Sequence, residues 1–232
     1  MNNQLPKLTT KEMWNEMLKF FYFQKGIPKT FLSLIKQPYE TVNEYLTIDR
    51  RKYFNPLNYI LIAAGLYALV LAVHPGFTGF IKQSNELNAK NYKPIEDKFD
   101  IDISGSMKKS QRIYMSYQNI FYIVILPIIG YVTFLLAKEY NYAEHMALNA
   151  FVFGTSTWVS LILSILTIFF KNFLVVFIVI PLVSFIVMMY MYKKIFQISW
   201  PLSFGVTFLI YFVILIASMI MQLGLSAYFM IT

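Results

Sequence analysis

The sequence predicts an all-α, polytopic membrane protein with about five transmembrane helices and amphipathic helices on their amino-terminal side. Long apolar runs fill most of the chain after Asn55, and between Met146 and Tyr192 the one side chain charged at neutral pH is Lys171. Those 47 residues, as helix, cover roughly 70 Å at 1.5 Å per residue, enough to cross a ~30 Å hydrocarbon core twice. Composition agrees: hydrophobic residues make up 57% and charged residues 14%, against about 45–50% and 25% in soluble domains. The 22 Phe and 17 Tyr suit a bundle whose sides meet acyl chains and whose ends sit among headgroups.

Residues 1–56 form a polar region with nine Lys/Arg and five Asp/Glu. No cleavable signal is expected there, because Asn15, Glu16 and Lys19 interrupt the apolar letters from Met13 to Phe23. Thr9 and Glu12 have capping-box spacing, and the apolar residues that follow recur at helical intervals until Gly26 and Pro28, which predicts an amphipathic helix. Such a helix lies in the membrane interface or packs on the cytoplasmic ends of the bundle. A second amphipathic stretch, Thr30 to Ile48, restarts at Pro38 and sets Val42, Tyr45 and Leu46 on one side.

The transmembrane domain is expected over 57–232. Span one, about 57–73, follows the interfacial anchors Arg50, Arg51, Lys52, Tyr53 and Phe54, and Pro56 suits its first turn, where a missing N–H costs nothing. His74-Pro75-Gly76 closes it. The polar loop 75–118, with seven Lys/Arg and five Asp/Glu, contains scattered aromatic residues and is expected to be partly helical. Spans two to five are expected at about 119–137, 146–170, 173–192 and 202–231; a re-entrant pair in place of spans three and four is the alternative topology. The basic triplet Arg50-Arg51-Lys52 abuts span one, whereas the next positive charge after it is Lys82, so the amino terminus is expected in the cytoplasm.

The net charge of +8 fits anionic lipid headgroups better than nucleic acid, because no basic cluster is interleaved with base-stacking aromatics on a soluble surface. Cysteine is absent, which removes disulfides and thiolate chemistry. The sequence has no phosphate-binding glycine loop, no His-Glu-x-x-His, no Gly-x-Ser-x-Gly and no pair of intramembrane aspartates, so no enzyme, cofactor or metal centre is expected.

Two segments carry a resemblance. Tyr39-Glu40-Thr41-Val42-Asn43-Glu44-Tyr45-Leu46, and then Arg50-Arg51-Lys52-Tyr53-Phe54-Asn55-Pro56-Leu57-Asn58-Tyr59, set a proline-led amphipathic helix before a basic-aromatic step and an Asn-Pro opening of the first span. That order resembles an uncharacterised family of bacterial multi-pass membrane proteins defined by a domain of unknown function. Tyr142-Ala143-Glu144-His145 is similar to the Glu-His step of the same family. The resemblance implies topology and no activity. Many members begin with a four-cysteine zinc ribbon, which this chain lacks. In architecture alone, a cytoplasmic amino terminus plus five spans is similar to the Yip1-like trafficking proteins.

Candidate functional residues are few. Glu144 and His145 are an adjacent acid and imidazole at the start of span three; they serve a proton, ion or ligand, or Glu144 complements the helix dipole. Thr157, Ser160, Ser164 and Thr167 recur at intervals of three and four, a stripe suited to close helix packing. Pro127 and Pro181 mark kinks in spans two and four. Asp100-x-Asp102-x-Ser104-Gly105 imitates half a calcium loop, but the twelfth position is Gln111, and Ser104 or Ser106 is expected to cap a helix instead. The function expected is a non-catalytic, membrane-organising or partner-binding component of a bacterial inner membrane. Its partners would be the bilayer, anionic headgroups, and a membrane protein or a second copy. A small-solute or ion transporter, and an accessory subunit of a larger complex, are the alternatives.

Overall fold

The computed structural model describes residues 26–116, 118–169 and 174–231; the expected amphipathic helix between Thr9 and Phe23, and Lys171, lie outside them. Among the described residues every regular element is helical. Helix α1 (Gly26–Lys36) and α2 (Pro38–Thr47) form a hairpin; α3 (Pro56–Val73) is the first apolar helix. The segment expected as a polar, partly helical loop is almost wholly helical, as α4 (Pro75–Phe99) and α5 (Ile103–Ser116). Then come α6 (Gln118–Leu136), α7 (Tyr142–Leu166), a π-helical turn (Val175–Val179) running into α8 (Ile180–Ile195), and α9 (Trp200–Ile231).

Among the described residues four helices are long and apolar enough to cross a membrane: α3, α7, the continuous segment Val175–Ile195, and α9. The remaining expected span corresponds to α6, whose described apolar stretch Val124–Leu136 covers roughly 20 Å at 1.5 Å per residue. Side-chain contacts give its direction. His74, after α3, lies 3.4 Å from Thr167 at the end of α7, while Ala137, after α6, meets His145 at the start of α7. Thus α3 and α7 run the same way, and α6 returns the chain between them. The end of the bundle holding His145 is called the near end, and the end holding His74 the far end.

Helix α7 is the central element, packed against α3, α6 and α8. It starts at a capping box: Asn141 Oδ1 accepts the Glu144 N–H at 3.0 Å and Glu144 Oε2 accepts the Asn141 N–H at 2.7 Å, satisfying two N–H groups at the helix start. The helix therefore begins four residues before the expected span. Gly154 brings α3 close, since a Cβ there would stand 2.5 Å from Cδ1 of Tyr59. Alongside, the Tyr59 hydroxyl lies 3.3 Å from Thr155 Oγ1. The buried residues of α3, α6, α7, α8 and the hairpin form one apolar cluster that includes Val42, Tyr59, Ile129, Phe151 and Tyr192.

The amphipathic hairpin belongs to that cluster. Val42, Tyr45 and Leu46 are buried, and Tyr45 meets Phe151 of α7 edge-on at 5.0 Å. The Tyr190 hydroxyl of α8 donates to the Ile35 carbonyl at 3.1 Å, so α1 is tied to the near end.

At the far end, α4 closes on Asp100, which adopts the left-handed conformation at φ 53°. Asp102 caps α5 through Oδ1, which accepts the Gly105 N–H at 2.7 Å, and Glu96 Oε1 accepts the Ser104 N–H at 2.6 Å. This corrects the expected serine cap: Ser104 and Ser106 lie inside α5, and a carboxylate is the stronger acceptor beside the positive end of a helix dipole. The Ser104 N–H also holds the Glu96 carboxyl below its ordinary value. Helix α5 packs on α9, where the buried Ser110 and Ser226 hydroxyls lie 2.9 Å apart.

Candidate functional site

At the near end, three helices contribute a chain of buried polar groups. Helix α6 supplies Thr133 and leads to Ala137, α7 supplies His145 and Asn149 one turn apart, and α8 supplies Tyr192; all four side chains are inaccessible to solvent. Tyr192 donates its hydroxyl to Asn149 Oδ1 at 2.6 Å. Asn149 Nδ2 lies 2.8 Å from Thr133 Oγ1 and 2.7 Å from the His145 carbonyl, which uses both of its N–H groups. His145 completes the chain, with Nδ1 3.0 Å from Thr133 Oγ1 and Nε2 2.7 Å from the Ala137 carbonyl.

The donors and acceptors of this set are mutually consistent. A carbonyl can only accept, so Nε2 carries the ring proton and Nδ1 accepts from the Thr133 hydroxyl. The Thr133 oxygen also lies 3.1 Å from the Ile129 and Gly130 carbonyls. If His145 gains a proton, the hydroxyl hydrogen can turn to those carbonyls while its oxygen accepts from Nδ1. The network can thus hold either protonation state of the imidazole with no orphaned group. Phe134, Tyr140 and Phe196 stand about the ring, with centroids 5.8–5.9 Å away. Burial raises the pKa of the Tyr140 hydroxyl, in the loop before α7.

Glu144 has no place in this network. Adjacent residues on a helix point about 100° apart, and while His145 turns inward, Glu144 is occupied by the backbone N–H of its own cap. The two residues paired by sequence therefore do separate work. The one local signal for the network is Asn149, an amide four residues after His145 and on the same face of a membrane-length helix.

The polar stripe divides along α7. Ser160 Oγ lies 2.6 Å from Ser184 Oγ of α8, and its neighbour Ser156, which the stripe omitted, donates to the Ser184 carbonyl at 3.3 Å. Thr157 donates back to the Phe153 carbonyl at 2.8 Å, and Ser164 is fully buried. Thr167 faces His74, whose Nδ1 accepts the Gly76 N–H at 3.1 Å and so caps α4. Pro127 lies within α6 without ending it, and the Tyr142 hydroxyl donates to its carbonyl at 3.1 Å. Pro181 stands in the first turn of α8, and the Ile180 N–H before it reaches back five residues to Val175, closing the π turn.

The basic-aromatic step is folded back onto the hairpin. Lys52 Nζ bonds to Glu44 Oε1, and the Tyr53 hydroxyl donates to Glu44 Oε2 at 2.7 Å. Lys52 holds the Glu44 carboxyl below its ordinary value, while burial raises the Tyr53 hydroxyl. The Phe54 N–H donates to Thr30 Oγ1 at 2.9 Å, and Gly26 leaves room for the Phe54 side chain, 2.9 Å from where a Cβ would stand. Arg50 and Arg51 remain exposed. Tyr53, read from sequence as an interfacial ring, is only 9% exposed and packs within the chain. Among the described residues no group of three or more His, Cys, Asp or Glu is placed to hold a metal ion.

A family model described as "Protein of unknown function (DUF3667)" matches residues 24–68, which takes in α1, α2 and the larger part of α3. The match supports an uncharacterised domain family centred on the hairpin, the Glu44 latch and the Asn-Pro start of the first apolar helix. No curated protein and no solved structure matches the chain.

Proposed function

We propose that this multi-pass chain acts without catalysis in a bacterial inner membrane, as a membrane-organising or partner-binding component, with α6 as a fifth crossing and its amino terminus in the cytoplasm. One observation carries the reading: Thr133, His145, Asn149 and Tyr192, buried polar groups at the near end of the bundle, are bonded to one another and to backbone carbonyls. A pathway for ions or solutes exposes such groups to the passing species; here they hold helices together. The Yip1-like architecture and a bacterial origin belong to the same proposal.

A small-solute or ion transporter is the second reading. It draws on the π turn at Val175–Val179 immediately before Pro181, a place where a helix can change its hydrogen-bonding register. Purification from the native membrane in mild detergent, together with flux assays in reconstituted vesicles, separates the two. Stoichiometric protein or lipid partners with no flux support the proposal; solute flux lost in a folded His145→Gln variant overturns it. If the partners form one large complex that fails to assemble without this chain, the role is that of an accessory subunit. For orientation, a cysteine at Lys93 on α4 should react with an impermeant thiol reagent in intact cells, and one at Ser199, between α8 and α9, should not. The reverse pattern overturns the cytoplasmic amino terminus.

A further inference from the structure

Helix α4 is built the wrong way round for a helix standing in water. Its apolar and aromatic residues Phe77, Phe80, Leu87, Tyr92, Ile95 and Phe99 fall within an arc of about 140° at 100° per residue. In a soluble helical hairpin that arc would face the partner helix. Here the side turned to α5 is mainly polar: Thr78, Lys82, Asn85 and Glu86, with Ile81 from the edge of the arc and Ala89 among them, face Asp102 and Lys108 of α5 across an open cleft of about 700 Å³. The apolar arc points elsewhere, with Leu87 52%, Ile95 43% and Phe99 61% exposed. Of the 25 residues of α4, Gly76 alone is buried.

The first two turns show what the arc faces. Phe77 stacks on Phe177 at 5.7 Å and Phe80 lies 4.1 Å from the same ring, in the π turn that opens the segment Val175–Ile195. On that turn Ile178 and Val179 are exposed, 55% and 46%, on a segment apolar and long enough to span the membrane. The apolar face of α4 is therefore continuous with the lipid-facing surface of the bundle. We propose that α4 lies in the membrane interface at the far end, with its apolar arc inserted among the lipid headgroups and upper acyl chains and its polar side, with Lys82, Lys90 and Lys93, turned to water and to α5. The arc also holds Ser84, Asn88, Asn91 and Lys98, a mixture that suits headgroup depth and not the hydrocarbon core. This holds whether the protein binds partners or moves solutes.

The chain has no native cysteine, so single labels report without background. Leu87→Cys, Ile95→Cys and Phe99→Cys, each carrying an environment-sensitive fluorophore, would be placed one copy per nanodisc of phosphatidylethanolamine and phosphatidylglycerol, with Lys93→Cys as the control. The expected result is blue-shifted emission at the three apolar positions and severalfold stronger quenching there by headgroup-level lipid nitroxides than at Lys93. Quenching by aqueous iodide equal to that of Lys93 overturns the proposal. So does blue-shifted emission that lipid nitroxides leave untouched, since protein then covers the arc. The three positions are independent, so one variant that fails to fold leaves two to decide.

Discussion

The two ends of α7 each hold a buried histidine, and they use it in opposite senses. At the near end His145 donates from Nε2 to the Ala137 carbonyl and accepts at Nδ1, joining α6 to α7 and, through Asn149, to α8. At the far end His74 accepts at Nδ1 from the Gly76 N–H, a local task that a short polar side chain could perform. The first is a crosslink among three helices; the second is a cap with one distant neighbour, Thr167. Equal burial thus conceals unequal consequences, because the cost of losing a polar group depends on how many partners it orphans.

Substitutions that orphan partners test the difference most severely. Asn149→Leu leaves the Tyr192 hydroxyl without its acceptor and Thr133 Oγ1 without the Nδ2–H that it accepts, at about 1–3 kcal/mol per orphaned group. Thermal unfolding in micelles should show a larger loss for this change than for Gly154→Ala or His74→Ala, and a loss no greater than that of His74→Ala would erase the distinction between the ends. Gly154→Ala comes next, since the new Cβ meets the buried Tyr59 ring at 2.5 Å and should cost about 1–3 kcal/mol through forced repacking. His74→Ala should cost about 1 kcal/mol, the ordinary worth of a cap, and His74→Asn should recover most of it.

Smaller effects sharpen the comparison at its edges. Glu144→Gln keeps the shape of the capping box but loses the charge near the helix start, at about 0.3–1 kcal/mol. The variant should fold and keep its cellular activity; a well-folded, inactive protein would move Glu144 from architecture to chemistry. Glu44, held below 4.5 by Lys52, contributes stability above that pH and loses it as the pH falls through its lowered folded value. Acid titration of the hairpin, followed by Tyr53 fluorescence, should therefore show a transition below pH 4.5 that Glu44→Gln abolishes.

The apolar helices were legible because lipid demands long uncharged runs, and α3, α7 and α9 begin within a few residues of their expected positions. Glu144 was legible as a first-turn carboxylate, since cap spacing is local. The network was not, because Thr133, Asn149 and Tyr192 come from three helices and their meeting depends on packing that no local pattern encodes. Adjacent position drew attention to Glu144 and His145, whereas helix geometry joins His145 to Asn149. Helices α4 and α5 were legible only in part: scattered aromatic residues pointed to some helix, but polar composition left its extent open, and the cap expected at Ser104 or Ser106 is made by Asp102 and Glu96.

Helix α9 is 32 residues long and carries no charged side chain. At 1.5 Å per residue it measures roughly 48 Å, against a hydrocarbon core of ~30 Å. Its exposed apolar residues run from Trp200 to Ile231 with one exposed amide among them, Gln222, in the last third of the helix. A rod that exceeds its solvent slab by half its thickness must lean, stretch the slab or leave it. Leaning alone would require a tilt of about 50°, beyond the ~20° average of membrane helices, and α5, joined to α9 at Ser226, would lean with it. A thicker bilayer would reduce the lean required of α9 and, through Ser226, of α5.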